Sequence, residues 1–367
     1  MKSTKNKKPD RFLFGLILTL ITGGFVIFSS AALGQVGRTS ASFSIVALKQ
    51  LLILLGGFVI MVIVSNIPYK KWRKYSPYLF GLALILTCLV FVPKLGFGTG
   101  GAKRWLDLRF TTFQPSEFLK FGLIVFLSAW LATRKEKIKD LKEGLLPFLI
   151  FLGMVCFILI KQPDTGTLMV TTIAALGLFV IAGGKWSHLM IILLIGILMI
   201  GVLALFRPYV KERLITYINP RHDLQDSSWQ INQSLIAIGS GGIIGRGFGQ
   251  SIQKFNFLPE PIGDSIFAVA GEEFGFVGTL IIVILFLTFA LWSLKIINQI
   301  KDPFGRLLGA GMVFIITAQS FINIGAMIGI IPLTGVPLVF ISHGGTALFF
   351  ALIEVGIILN ISKEIKN

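Results

Sequence analysis

LPEPIGDSIFAVAGEEFGFVGTLIIVILFLTFALWS, residues 258–293, decides the fold. A turn bracketed by Pro259 and Pro261 carries Asp264, and the apolar run that follows holds Glu272 and Glu273 and then no charge until Lys295. About 20 apolar residues cross a bilayer as a helix. An ionised group at mid-membrane costs several kcal/mol. Residues 265–293 therefore read as a membrane span, and the acids at its head need a reason to be there.

Composition agrees. Of 367 residues 54% are hydrophobic and 14% charged, where a soluble domain carries about 25% charge; the mean hydropathy is +0.83. Lys and Arg number 34 against 17 acids, a net charge of +17. In a polytopic membrane protein such an excess is topogenic and faces anionic lipid, so nucleic-acid binding is excluded. Cys88 and Cys156 lie in apolar runs, which disfavours a disulfide or a metal pair, and three scattered histidines make no zinc site. The leading MKSTKNKKPDR (1–11) reads as a cytosolic tail, because the first apolar run ends without a small-residue cleavage site.

Scanning for runs of spanning length predicts an all-α polytopic protein of about ten helices: 12–33, 44–67, 77–93, 115–132, 145–160, 166–183, 187–206, 265–293, 307–330 and 337–361. With both termini inside, the inner segments hold twenty basic residues and the outer ones twelve, half of these in one long loop. The chain, 1–367, reads as a single integral membrane domain whose large extracytoplasmic loop, 207–264, separates spans seven and eight. In that loop Val210, Leu214 and Ile218 recur every four residues, which predicts a surface helix. A second outer segment, 94–114, contains GFGTGGAKRWLDLRF.

This topology gathers polar residues at the outer side. Gln114, Glu117 and Lys120 share a face of the fourth span, Asp164 opens the sixth, Asp264 introduces the eighth, and Ser342, His343 and Thr346 lie near the outer end of the tenth. Simpler readings stand beside a functional one. Glu117 and Lys120 could form a structural ion pair, and Asp164 could cap its helix. Glu272 and Glu273 read as structural, holding their helix in place. The glycine run GSGGIIGRGFGQ (239–250) could cradle a phosphate or pack a tight loop. Glu354, deep in the last span, could pair with Lys49. No GxxxxGK(S/T), HExxH or GxSxG occurs, which removes support for nucleotide hydrolysis and for familiar protease or lipase chemistry.

AKRWLDLRFTTFQPSEFLK (102–120) resembles the RRW…QPSE…K signature of the SEDS proteins, the FtsW/RodA/SpoVE family. KQPDTGT (161–167) is similar to that family's QPDxGT, and residues 258–278 to its LPExxxDxIFAxxxEExGxxG block. FINIGAMIGIIPLTGVPLVFISHGGTAL (321–348) resembles its closing segment. His343 stands where the family usually has tyrosine, so a contact made there could become pH-dependent, and Thr165 where it usually has leucine or histidine. The Pro-Ile-Gly-Asp-Ser loop end is closer to the FtsW division branch than to the RodA elongation branch.

The resemblance implies a peptidoglycan glycosyltransferase of the bacterial cytoplasmic membrane that polymerises lipid II. It would work beside a class B penicillin-binding protein and other division-machinery membrane proteins. It matches the family's essential aspartate to Asp264, its tryptophan to Trp105, its fourth-span pair to Glu117 and Lys120, and its QPD aspartate to Asp164. Joining an α-linked donor into a β-1,4 strand inverts the anomeric carbon, so an acceptor proton must leave and a lipid pyrophosphate must be stabilised. Asp264 could be the general base or could hold a divalent cation, Mg²⁺ or Mn²⁺; no organic cofactor is expected. Lys103, Arg104 and Lys120, with Arg213, Arg221 and Arg246 of the large loop, are candidate pyrophosphate ligands. Trp105, Gln114, Ser342 and His343 complete the candidate substrate site. A lipid II flippase and a non-catalytic scaffold are the rival readings.

Overall fold

Asp10 starts the first helix by accepting a hydrogen bond from the Leu13 amide at 2.7 Å, as an N-cap does. The structure, a computed structural model, describes residues 8–34, 43–98, 103–107, 109, 112–134, 137–206, 208–219 and 228–365. Along the chain run α1 (Arg11–Leu33), α2 (Phe43–Asn66), α3 (Lys70–Leu89), α4 (Pro115–Ala132), α5 (Leu146–Lys161), α6 (Thr165–Ile181), α7 (Trp186–Phe206), α8 (Pro208–Ile218), α9 (Trp229–Ser240), α10 (Ile266–Asn298), α11 (Pro303–Met327) and α12 (Gly345–Ser362). Among the described residues eight helices are long and apolar enough to cross a membrane: α1, α2, α4, α5 with the π-helical turn before it, α7, α10, α11 and α12. The third and sixth expected spans are also helical, as α3 and α6.

α11 is buried nearly all round and packs against α4, α6, α10 and α12, so it forms the axis of the core. α7 is the opposite case. Only His188 and Ile192 of its 21 residues are buried, and most of the rest is apolar and exposed, as lipid-facing surface would be.

Three local results differ from the sequence reading. Three short strands, β1 (Gly96–Phe97), β2 (Trp105–Asp107) and β3 (Thr112–Phe113), pair in a small antiparallel sheet. The tenth helix begins only at Gly345, because the stretch before it holds Pro332, Gly335, Pro337 and Gly344 and gives its carbonyls to side chains of α11. Finally, α10 is two helices joined at Gly275, whose backbone (φ 64°, ψ −163°) is open to glycine. The longer part, 276–298, has the length of a span by itself.

The glycine-rich loop after α9 packs into the Gly275 kink. Phe276 and Val277 amides donate to Gly242 and Ile243 carbonyls at 2.9 and 3.1 Å, while Arg246 and Gly247 amides donate to Glu272 and Glu273 carbonyls at 3.0 and 2.9 Å. A Cβ on Gly245 would stand 2.2 Å from the Glu273 carbonyl oxygen. Of the two readings of 239–250, tight packing is the one that forms, since the amides at 246 and 247 are taken by α10. The expected surface helix is α8.

Candidate functional site

The site is built where α4, α6, α10 and α12 begin. Pro115 fits the first turn of α4, where its missing N–H is not needed, and the preceding Gln114 reaches sideways. Its amide donates to Thr346 Oγ1 at 3.3 Å and its side-chain nitrogen to Asp164 Oδ2 at 3.4 Å. Ser116 Oγ donates to the same Asp164 oxygen at 2.9 Å. Asp164 Oδ1 accepts from the Thr167 amide at 3.2 Å and so caps α6. Arg104 donates to the Pro163 carbonyl, which brings the segment before β2 to the same place. Lys103 is exposed beside it and Trp105 is half-buried in β2.

Asp264 lies on the far side of 333–336, part of the irregular strip 328–344 that precedes α12. Gly166 of α6 approaches so closely that a Cβ there would be 2.8 Å from the Thr334 carbonyl oxygen; on the strip's other flank a Cβ on Gly335 would be 3.8 Å from Asp264 Oδ2. Gly335 has φ +72°, a conformation that suits glycine. Asn323 of α11 fixes the arrangement, its Nδ2 donating to the Asp264 carbonyl at 2.7 Å and to the Val336 carbonyl at 2.8 Å. Arg213 of α8 closes it, donating to Thr165 Oγ1 at 2.9 Å and the Leu333 carbonyl at 2.8 Å. Gln230 of α9 bonds Ser265 Oγ at 3.1 Å and stands beside the Asp264 carboxylate.

A cavity of about 430 Å³ opens next to these groups, lined by Arg213, Thr216, Tyr217, Gln230, Ile231 and Pro332 among others. Asp264 is not in the lining itself; Gln230, which is, hydrogen-bonds its carboxylate, and Arg213, also in the lining, acts on its charge. Burial pushes the Asp264 carboxyl up to about 6, helped by the charge of Glu260 and opposed by the Gln230 hydrogen bond and Arg213. A carboxylate with that value is ionised at neutral pH and still a useful proton acceptor.

The other expected residues fall into three groups. Glu117 and Lys120 are 2% exposed and joined at 2.8 Å, and Lys120 Nζ also donates to Gln319 Oε1 at 2.5 Å. Glu354 faces this same pair. The charges that act on it are those of Lys120 and Glu117 and not that of Lys49, whose charge is felt at His343. Ser342 and His343 belong to the irregular strip. Ser342 Oγ accepts from the Leu338 amide at 2.8 Å, and His343 lies 3.0 Å from Gln50 Oε1 through Nδ1 and stacks on Phe28. Burial, then the Lys49 ammonium, hold its imidazole below the usual histidine range. It is neutral at physiological pH, so the pH dependence expected of it lies on the acid side.

The third group anchors the loop. Glu272 accepts from Ser251 Oγ at 2.6 Å and from the Ile252 and Gln253 amides at 3.0 and 3.1 Å, and Arg246 Nε lies 3.6 Å from it. Arg246 is thus held at Glu272, two turns along α10 from Asp264, and is not brought to the cavity. Glu273 meets Lys254 Nζ at 2.7 Å and Ser30 Oγ at 2.6 Å. Arg221 lies outside the described residues. Gln230, Gln319, Asn323 and Thr334 were missed from sequence. Gln319 and Asn323, four apart inside an apolar span, carried a legible signal of inward-facing polarity.

The profile of the FtsW/RodA/SpoVE family, described as cell cycle protein, matches residues 10–367. Stage V sporulation protein E of Bacillus subtilis is 36% identical over 364 residues, covering 98% of this chain and 99% of that protein. A probable peptidoglycan glycosyltransferase FtsW of Geobacter sulfurreducens is 34% identical over 366 residues, 98% of each. A chain solved in a peptidoglycan synthase complex shares the fold with a TM-score of 0.81 at 23% identity, over 97% of this chain and 98% of that one. Thermus thermophilus rod shape determining protein RodA does so at 0.71 and 23%, over 97% of each.

Proposed function

The chain belongs to the FtsW/RodA/SpoVE family, a family of multi-pass membrane proteins, and we propose that it is a peptidoglycan glycosyltransferase that polymerises lipid II, with Asp264 as its general base. The observation that carries this reading is the Asp264 carboxylate, raised to about 6 by burial, beside an arginine-bearing cavity. The acceptor sugar hydroxyl gives its proton to Asp264 as its oxygen bonds the donor's anomeric carbon. The bond from that carbon to the pyrophosphate oxygen breaks with inversion, and undecaprenyl pyrophosphate leaves with the electron pair. General-base assistance of this kind is worth about 10²–10⁴-fold.

Arg213 lines the cavity and supplies the positive charge closest in kind to what the leaving anion needs; Arg104 and Lys103 stand at the Asp164 side. A divalent cation, Mg²⁺ or Mn²⁺, would supply further charge neutralisation to the pyrophosphate when bound. In this reading the chain crosses the bacterial cytoplasmic membrane ten times with both termini in the cytosol, and the site faces outward. Likeness to an FtsW and to a sporulation protein supports a role in division-type wall synthesis, with a class B penicillin-binding protein as the cross-linking partner and other division-machinery membrane proteins alongside.

The test is a gel assay of the purified protein with labelled lipid II and Mg²⁺, with and without a cognate class B penicillin-binding protein. Ladders of glycan product are expected. Folded protein that binds lipid II but moves it between leaflets without polymerising it would overturn this reading in favour of a transporter.

A further inference from the structure

The small sheet between α3 and α4 has two faces, and its strand register decides which side chains share each. Residues directly opposite in an antiparallel pair put their side chains on one face, with Cβ atoms about 5 Å apart, and successive residues along a strand alternate between faces. Phe97 pairs with Trp105 and Asp107 with Thr112, while Leu106 pairs with Gly96 on one side and Phe113 on the other. One face therefore carries Phe97, Trp105, Asp107 and Thr112, and the opposite face Leu106 and Phe113. Burial agrees with the register. Leu106 is buried, and the Phe113 ring lies 6.4 Å from that of Phe350 on α12, so the second face rests on the helices. On the first, Phe97, Asp107 and Thr112 are exposed and Trp105 is half-buried.

A phenylalanine 52% exposed beside a tryptophan is an apolar patch, and apolar patches rimmed by polar groups mark contact sites. The chemistry of the rim selects the contact. Asp107 and Thr112 share the face with the two rings, and a carboxylate is costly in hydrocarbon, so lipid tails are a poor match. A sugar is a good one: its C–H faces lie on flat aromatic rings, and its edge hydroxyls donate to a carboxylate. Asp107 is already oriented for this, since its Oδ1 accepts from the Arg109 amide at 2.7 Å. The face is also continuous with the candidate site. Arg104, next to Trp105, donates to the Pro163 carbonyl, and Gln114, next to Phe113, donates to Asp164 Oδ2 at 3.4 Å. We infer that Phe97, Trp105, Asp107 and Thr112 form a saccharide-binding surface that holds the glycan strand outside the reacting centre. This rests on the glycosyltransferase reading for the identity of the sugars, and on register and exposure for the surface. A strand that grows by one disaccharide at a time stays on the enzyme longer when its finished sugars are held, so the surface sets product length.

The test reads oligosaccharide binding first and product length second. Full-length protein in lipid nanodiscs is titrated against a fluorescent oligosaccharide of alternating N-acetylglucosamine and N-acetylmuramic acid, free of peptide and lipid, and binding is followed by anisotropy. The wild type is expected to bind it. Phe97→Leu keeps the apolar bulk and loses the flat ring, and should weaken binding by about tenfold, whereas Phe97→Tyr keeps the ring and should bind as the wild type does. Asp107→Asn should also weaken it by about tenfold. Phe97 and Asp107 are exposed, so these variants leave the core untouched, and Phe97→Leu carries the test if a Trp105 variant does not fold. Phe97→Leu and Asp107→Asn should also give shorter glycan ladders from lipid II. A wild type that binds no oligosaccharide, or equal binding by the wild type, Phe97→Leu and Asp107→Asn, overturns the surface. So does Phe97→Leu binding as the wild type does with Phe97→Tyr weakened, the pattern of a lipid anchor. The two readings fail separately. Glycan synthesis with oligosaccharide binding indifferent to these residues removes the saccharide surface alone, whereas residue-dependent binding without glycan synthesis removes the glycosyltransferase reading alone.

Discussion

Replacing Lys254 by methionine is expected to release the glycine-rich loop from α10. The ammonium of Lys254 is fully buried and bonds Glu273 Oε1 at 2.7 Å, the Gly249 carbonyl at 2.9 Å and Ser30 Oγ at 3.0 Å. Methionine fills much of the same space, so the loss is chiefly the charge. It strands the Glu273 carboxylate, 1% exposed, with hydroxyl and amide partners only. Removing one member of a buried pair costs about 3–5 kcal/mol. At about 1.4 kcal/mol per tenfold, opening of the loop rises by a factor between about a hundred and a few thousand. Hydrogen exchange reads this at the Arg246 and Gly247 amides, which donate to the carbonyls of Glu272 and Glu273. Adding Glu273→Gln to Lys254→Met removes the stranded charge and should restore much of the protection. Exchange unchanged by Lys254→Met, or a double variant as unprotected as the single one, refutes the reasoning.

Lys120→Ala leaves Glu117 and Glu354 facing each other in the core without their shared cation. It should cost about 3–5 kcal/mol, seen as a lower melting temperature; an unchanged one contradicts the pair's structural role. Asp264 has a folded value of about 6 against an ordinary 3.8, so protonation favours the folded state. That stabilisation is complete below about pH 3.8 and lost as pH rises through 6. Asp264→Asn should therefore melt above the wild type at pH 7.5, with the gap closing on acidification; the opposite order contradicts the burial account. Wild-type polymerisation should fall as pH drops through about 6. Gly275→Ala would put a methyl 2.3 Å from the Gly245 nitrogen at a φ of 64° and ψ of −163°, an essentially glycine-only conformation that costs about 1–3 kcal/mol for the backbone alone. A lower melting temperature is expected, and wild-type melting would show that the kink tolerates a side chain.

Span lengths were legible because a bilayer imposes a length on every apolar run, and helices form at all ten expected places. The breaks were not. Gly275 looks like one more small residue in a span, and its break shows only through the loop packed into it. The tenth run hid an irregular strip because Val339, Phe340 and Ile341 are as apolar as a helix, while Asn323 and Gln319 on another element hold its backbone. In the site, Asp164, Gln114 and Asp264 were readable as polar residues at span ends. Gln230, Asn323 and Thr334 join them through contacts distant in sequence, which no local pattern encodes. Lys254 sits in a glycine-rich loop with nothing local to mark it, yet it is fully buried.

The central claim is that Asp264 takes the acceptor proton, and the most direct measurement is the initial rate of glycan formation from labelled lipid II by Asp264→Asn. The variant and the wild type are compared at pH 7.5 after both are shown to be folded. The account predicts a rate lower by about 10²–10⁴-fold, with no ladder on the time scale of the wild-type reaction. A rate within about threefold of wild type would contradict it and remove Asp264 from the chemistry.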